Sequence, residues 1–312
     1  MAYIAPRVAG EYAIPGPQTV DPRYHSLMRA FTLPAGQAEP PRVLVVAAHP
    51  DDETIGVGGM FSRLAHAMEI VHVTDGAPRN RRQWGRQEYR TWDEYAAQRH
   101  REVRNALRVA GLDARALCRR MEVMDSEVSL NLVPVTHRLM ELLDGARPEV
   151  VLTHPYEGGH TDHDAIAFAC RAACTLLARD GARVPALAEF TSYHNEGGEK
   201  VVNRFLPFDG APVTDVTLTR DERDLKRRMY DCFYTQNGVL RDMPVRVERF
   251  RPAPCYDFAQ APHAGRLRYE RYPVGIRGKH WRQLAADAME HLGLRTGWHA
   301  AVRRGPALVL AG

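Results

Sequence analysis

The sequence predicts a Rossmann-like, doubly wound α/β fold with a mostly parallel sheet and a less regular C-terminal cap. Two observations carry that prediction. Short, continuous apolar runs recur through the first 190 residues, and most of them are followed by stretches with helical spacing. Strands covered on both faces read as unbroken apolar runs, and parallel neighbours need a crossover helix between them.

Residues 1–41 carry many prolines and glycines without a sustained period and are read as an irregular N-terminal arm. The first strand signal is Val43-Leu44-Val45-Val46-Ala47-Ala48, followed by Gly56, Gly58 and Gly59 and a helical stretch over 60–68. Ile70-Val71-His72-Val73-Thr74 reads as a second buried strand, leading into a polar, arginine-rich loop to about Thr91. Residues 92–110 have helical spacing, with Gly111 placed as the C-cap. A strand over 121–124, a helix over 130–143, a strand over 149–153 and a helix over 162–178 complete the core. Further on, 187–193 and 213–218 read as strands, and 221–234 and 280–291 as helices. The organisation expected is an arm over 1–41, an α/β core over 42–185, and a part over 186–312 that completes the same domain.

The bulk composition excludes several classes. With 42 basic against 38 acidic residues, the net charge of +4 is too mild to call for a nucleic-acid partner. The five cysteines form no CxxC pair, so neither a disulfide framework nor a structural zinc knot is indicated. No apolar run approaches the length of a membrane span, and no basic segment precedes an apolar one at the N-terminus, so a cytoplasmic protein is expected.

In an open α/β sheet, ligands bind beyond the C-terminal ends of the strands. Two loops there are dense in histidine and carboxylate: His49-Pro50-Asp51-Asp52-Glu53, and the segment from His154 through His160, Asp162 and His163. Imidazole and carboxylate suit a catalytic zinc, which keeps three protein ligands and an open position for water. A hydrolase also needs a general base that is not committed to the metal. Adjacent aspartates can divide these tasks, and the pair of histidines in His160-Thr161-Asp162-His163 can do the same.

These two motifs, the first directly after a buried strand, resemble the LmbE/PIG-L family of zinc-dependent N-acetylglucosaminyl deacetylases. The resemblance covers residues 42–178 well and the remainder loosely. It implies His49, Asp52 and His163 as metal ligands, Asp51 as general base, and His160 as the group that stabilises the oxyanion or protonates the leaving amine. It further implies that Asp162 orients His160. Thr161 departs from the family, which often has proline there; the change touches loop shape rather than chemistry. The activity implied is removal of the N-acetyl group from an amino-sugar conjugate, with Zn²⁺, or Fe²⁺ or another divalent ion, as cofactor.

For the substrate, Arg79 is the preferred anion contact in the arginine-rich loop. Asp125 is placed as a hydrogen-bond acceptor for sugar hydroxyls, with His154 and His194 near the pocket. Within the same chemistry the alternative is a zinc amidase acting on a larger acyl or thiol conjugate. A different class is a non-catalytic metal- or sugar-binding protein, which would be expected to have lost Asp51 or a ligand. A nucleotide-dependent oxidoreductase is excluded, because no GxGxxG follows the first strand. Oligomeric state is left open, with a homo-oligomer contact through the arm as one reading.

Overall fold

The computed structural model describes residues 20–64, 66–86, 88–272 and 275–294. In chain order the first half holds α1 (Pro22–Thr32), β1 (Val43–Ala47), α2 (Asp52–Val57), α3 (Phe61–Leu64) and β2 (Met68–Thr74). There follow α4 (Trp92–Val109), α5 (Ala114–Leu117), β3 (Cys118–Val123), α6 (Leu132–Ala146), β4 (Val150–Thr153) and α7 (Thr161–Arg179). The second half adds β5 (Ala186–Phe190), β6 (Tyr193–Glu196), β7 (Glu199–Val202), β8 (Thr214–Thr217) and α8 (Arg220–Tyr230). It closes with α9 (Asn237–Leu240), β9 (Val247–Pro252) and α10 (Gly278–His291).

Seven strands form one sheet in the order β3-β2-β1-β4-β5-β9-β8, with β6 and β7 in a separate hairpin. The first five are mutually parallel, whereas β9 runs antiparallel to both β5 and β8. The sheet is covered on both faces, as predicted. Along β1, Leu44 and Val46 enter the core built from α6, α7 and α10, while Val43 and Val45 enter the core built from α1, α4 and α8. The chain runs outward from β1 through β2 to β3 and then returns to place β4 on the other side of β1. The carboxyl ends of β1 and β4 therefore frame the topological switch point, where such sheets bind ligands.

Four local expectations change. Residues 22–32, inside the segment expected to be irregular, form a helix. Asp21 caps it by accepting from the Arg23 N–H at 2.8 Å, Pro22 opens it, and Tyr24, Leu27, Met28 and Phe31 make its buried stripe. Residues 1–19 of the expected arm lie outside the described residues. The helix expected over 60–68 shrinks to Phe61–Leu64, because Met68 already pairs with Val43 in the sheet. The strand expected over 187–193 ends at Phe190, and Tyr193 opens the hairpin instead. The helix expected over 221–234 ends at Tyr230.

Strand β9 was not anticipated, and its charges explain why. Glu248 and Arg251 are buried inside it, so it shows no apolar run. Each charge has a partner: Lys226 Nζ lies 2.6 Å from Glu248 Oε1, and Arg251 Nε lies 2.8 Å from Glu189 Oε2. Removing one member of such a pair strands the other charge in the interior. Lys226→Met is expected to cost about 3–5 kcal/mol of stability, measured by denaturant unfolding. A loss below about 1 kcal/mol would mean that Glu248 is relieved by protonation or water.

Candidate active site

The site is built where β1 and β4 end. After β1 the chain turns sharply, with the Asp51 and Asp52 N–H groups donating to the His49 carbonyl at 2.9 and 3.2 Å, and α2 begins at once. The His49 N–H donates to Asp52 Oδ2 at 2.8 Å, and His49 Nδ1 lies 3.0 Å from the same oxygen. That oxygen is a hub: His163 Nε2 stands 3.4 Å from it and His154 Nε2 stands 3.5 Å away. The opposite nitrogen of His49, Nε2, faces Asp162 Oδ2 at 3.3 Å and Asp125 Oδ1 at 3.4 Å.

His163 sits in the first turn of α7, and His160 is that helix's N-cap, its Nδ1 accepting from the Asp162 N–H at 3.2 Å. An accepting Nδ1 leaves the proton of the neutral ring on Nε2, so His160 presents a donor to the pocket. The loop that carries it approaches β6 closely. A Cβ on Gly159 would lie 2.0 Å from the Tyr193 carbonyl oxygen, so only glycine permits this path. From the other side, Trp281 of α10 donates to the Thr161 carbonyl at 3.1 Å and stacks on Tyr156, which ties the C-terminal part to the histidine loop.

The adjacent aspartates face different partners. Asp52 meets the three imidazoles, whereas Asp51 Oδ2 meets Arg99 Nη2 at 3.3 Å. Arg99, on α4, is buried beside Glu102 and Thr235 and was not singled out in the sequence. Its signal was an arginine amid the apolar stripe of an amphipathic helix. Burial pushes the Asp51 carboxyl up to about 6 against the pull of Arg99. For Asp52 burial acts upward too, but His163 and His154 outweigh it and hold the group well below the carboxylate range.

The charge balance fits a metal. Burial opposes a positive His49, yet Asp125, Asp162 and Asp52 outweigh it and keep its pKa well above that of an ordinary imidazole. Four aspartates thus surround this corner, and a bound cation is what such a carboxylate surplus accommodates. Three overlapping sets place ligand atoms within 4.8 Å of one another: His49, His160 and His163; Asp52, His154 and His163; and His49, Asp125 and Asp162. The nitrogen–oxygen mix suits zinc or another divalent ion. His154 is the poorest ligand of the group, because its Nε2 already accepts the Ala48 N–H at 3.0 Å. Burial also depresses its pKa to about 3.

The structure brings together His49, Asp51, Asp52, Asp125, His154, His160, Asp162 and His163. Asp162 does something other than expected. Its carboxylate accepts from the Ser126 and Val128 N–H groups at 2.7 and 3.1 Å, so it anchors the loop bearing Asp125 and faces His49. Only its backbone N–H reaches His160, because a side chain in the first helical turn projects toward the neighbouring loop. Arg79 stays outside the cluster, exposed and ion-paired with Glu127. His194 also stays outside; it is buried beside Glu157, with Nδ1 3.3 Å from Oε2, next to Arg251 and Glu189.

A family model described as PIG-L, GlcNAc-PI de-N-acetylase, matches residues 44–174. A probable N-acetyl-alpha-D-glucosaminyl L-malate deacetylase 2 of Bacillus subtilis (strain 168) is 25% identical over 215 residues, covering 67% of this chain and 90% of that one. Among solved structures, the zinc-inhibited form of a teicoplanin deacetylase aligns with a TM-score of 0.47 at 15% identity, covering 68% of this chain and 97% of that one. The N,N'-diacetylchitobiose deacetylase from Pyrococcus horikoshii aligns with a TM-score of 0.45 at 19% identity, covering 71% and 79%. The matched segment starts in β1, ends in α7 and so spans both histidine–aspartate motifs, and over those residues the chain is similar to the PIG-L family.

Proposed function

We propose that this protein is a metal-dependent hydrolase that removes the N-acetyl group from an amino-sugar conjugate of the N-acetylglucosamine type. The observation that carries the reading is the division of labour between Asp52, set among three imidazoles, and Asp51, turned toward Arg99. The matched relatives, deacetylases by name, supply the reaction class and the kind of sugar.

In this reading His49, Asp52 and His163 hold a divalent ion, Zn²⁺ or Fe²⁺. When bound, such an ion polarises an amide carbonyl and acidifies water. Asp51 takes the proton of the attacking water on a carboxylate oxygen, and Arg99 keeps that carboxylate aimed. His160 offers its Nε2 proton to the acyl oxygen or to the leaving amine. Asp125 and Asp162 flank His49 Nε2, with Asp162 fixing the loop on which Asp125 rides.

Elemental mass spectrometry of the purified protein, before and after chelation and zinc loading, is expected to find close to one divalent ion per chain. The loaded protein is expected to release amine from N-acetyl amino sugars. Loaded protein that releases none from a panel of free, phosphorylated and carboxylate-bearing N-acetylglucosamine conjugates would overturn the deacetylase reading.

No helix among the described residues is long and apolar enough to cross a membrane.

A further inference from the structure

The hairpin of β6 and β7 belongs to neither sequence motif, yet its first residue stands at the site. The Tyr193 ring lies 5.7 Å, centroid to centroid, from the His163 ring and is tilted 56° to it. His154 stacks on the same imidazole at 3.9 Å. The Tyr193 carbonyl abuts Gly159, where an added Cβ would lie 2.0 Å from its oxygen and 3.5 Å from Cδ2 of the ring. Tyr193 thus packs against the loop that carries His160 and His163. The side chain lies within the electrostatic reach of His49, Asp52 and Asp51, the groups that surround the reacting amide in the reading above.

Its hydroxyl has no hydrogen-bond partner among the described residues, although buried tyrosine hydroxyls normally find one. Tyr193 as a residue is half-buried. A phenol ionises near pH 10, so at neutral pH the group is a donor. Among acceptor-only carboxylates, a free O–H donor is complementary to an oxygen that gains negative charge, and the acyl oxygen of the amide is such an oxygen.

We propose that Tyr193 is a further catalytic residue whose O–H hydrogen-bonds the acyl oxygen of the substrate as the tetrahedral intermediate forms. The phenol keeps its proton throughout; no bond to it is made or broken. The inference rests on the deacetylase reading, and its test separates the two.

Tyr193→Phe keeps the ring against His163 and removes only the donor. With zinc-loaded protein, the variant is expected to retain its metal and lose about 10²-fold or more in kcat. Acetohydroxamate, whose carbonyl oxygen mimics the acyl oxygen, is expected to bind the zinc-loaded variant about tenfold more weakly in calorimetry, a loss typical of one hydrogen bond. Wild-type turnover with an unchanged kcat in the variant overturns the proposal. If the wild type turns nothing over, the deacetylase reading fails, and equal acetohydroxamate affinities in the two proteins then overturn the role of Tyr193 as well.

Discussion

Asp51→Asn is expected to lower kcat by about 10²–10⁴-fold while the metal content stays at the wild-type level. Asparagine has the shape of aspartate and still accepts a hydrogen bond from Arg99, which lies 3.3 Å from Asp51 Oδ2, but it cannot take a proton from water. Asp52 would be untouched, because its carboxylate is held by the His49 N–H and by the facing imidazoles. Turnover by amine release and metal by elemental mass spectrometry, on the same preparation, decide the matter. A variant as fast as wild type removes Asp51 as the base. A variant that loses its metal makes Asp51 a ligand.

His163→Ala is expected to release the metal, and His160→Ala to keep it and lose turnover. His163 Nε2 stands 3.4 Å from Asp52 Oδ2, inside the three-histidine hub. His160 spends its Nδ1 on the α7 N-terminus, which leaves Nε2 as the donor nitrogen of the neutral ring. Loss of a residue that only supports a ligand costs about 10–100-fold in metal affinity, so loss of a direct ligand is expected to exceed that. Competition against a chelator of known affinity measures both variants. If His160→Ala empties the site while His163→Ala stays loaded, the two histidines exchange roles.

The histidine–aspartate corner was legible because its residues are close in sequence as well as in space. His49, Asp51 and Asp52 share one turn, and His160 and His163 share one helical start, each directly after a strand or at a helix cap. The residues that join them from elsewhere were harder to see. Asp125, suggested as a sugar contact, faces His49 Nε2 at 3.4 Å. Arg99, singled out by nothing in the sequence, proved to be the partner of Asp51. Arg79, the preferred anion contact, is engaged by Glu127.

Local pattern alone dictates the alternation of apolar strands and crossover helices, and with it the sheet and the switch point at which His49 and His154 emerge. It also determined which residue types sit there, since local pattern suffices when consecutive residues do the work. Three-dimensional packing, by contrast, sets which carboxylate meets which imidazole. It decided too that Asp162 braces a neighbouring loop rather than the His160 ring, and that the charged strand β9 is interior. Ion pairs such as Lys226–Glu248 and Arg251–Glu189 join residues 22 and 62 positions apart. Until the fold brings such partners together, each charge looks like a surface residue, because burying it is unfavourable without the other.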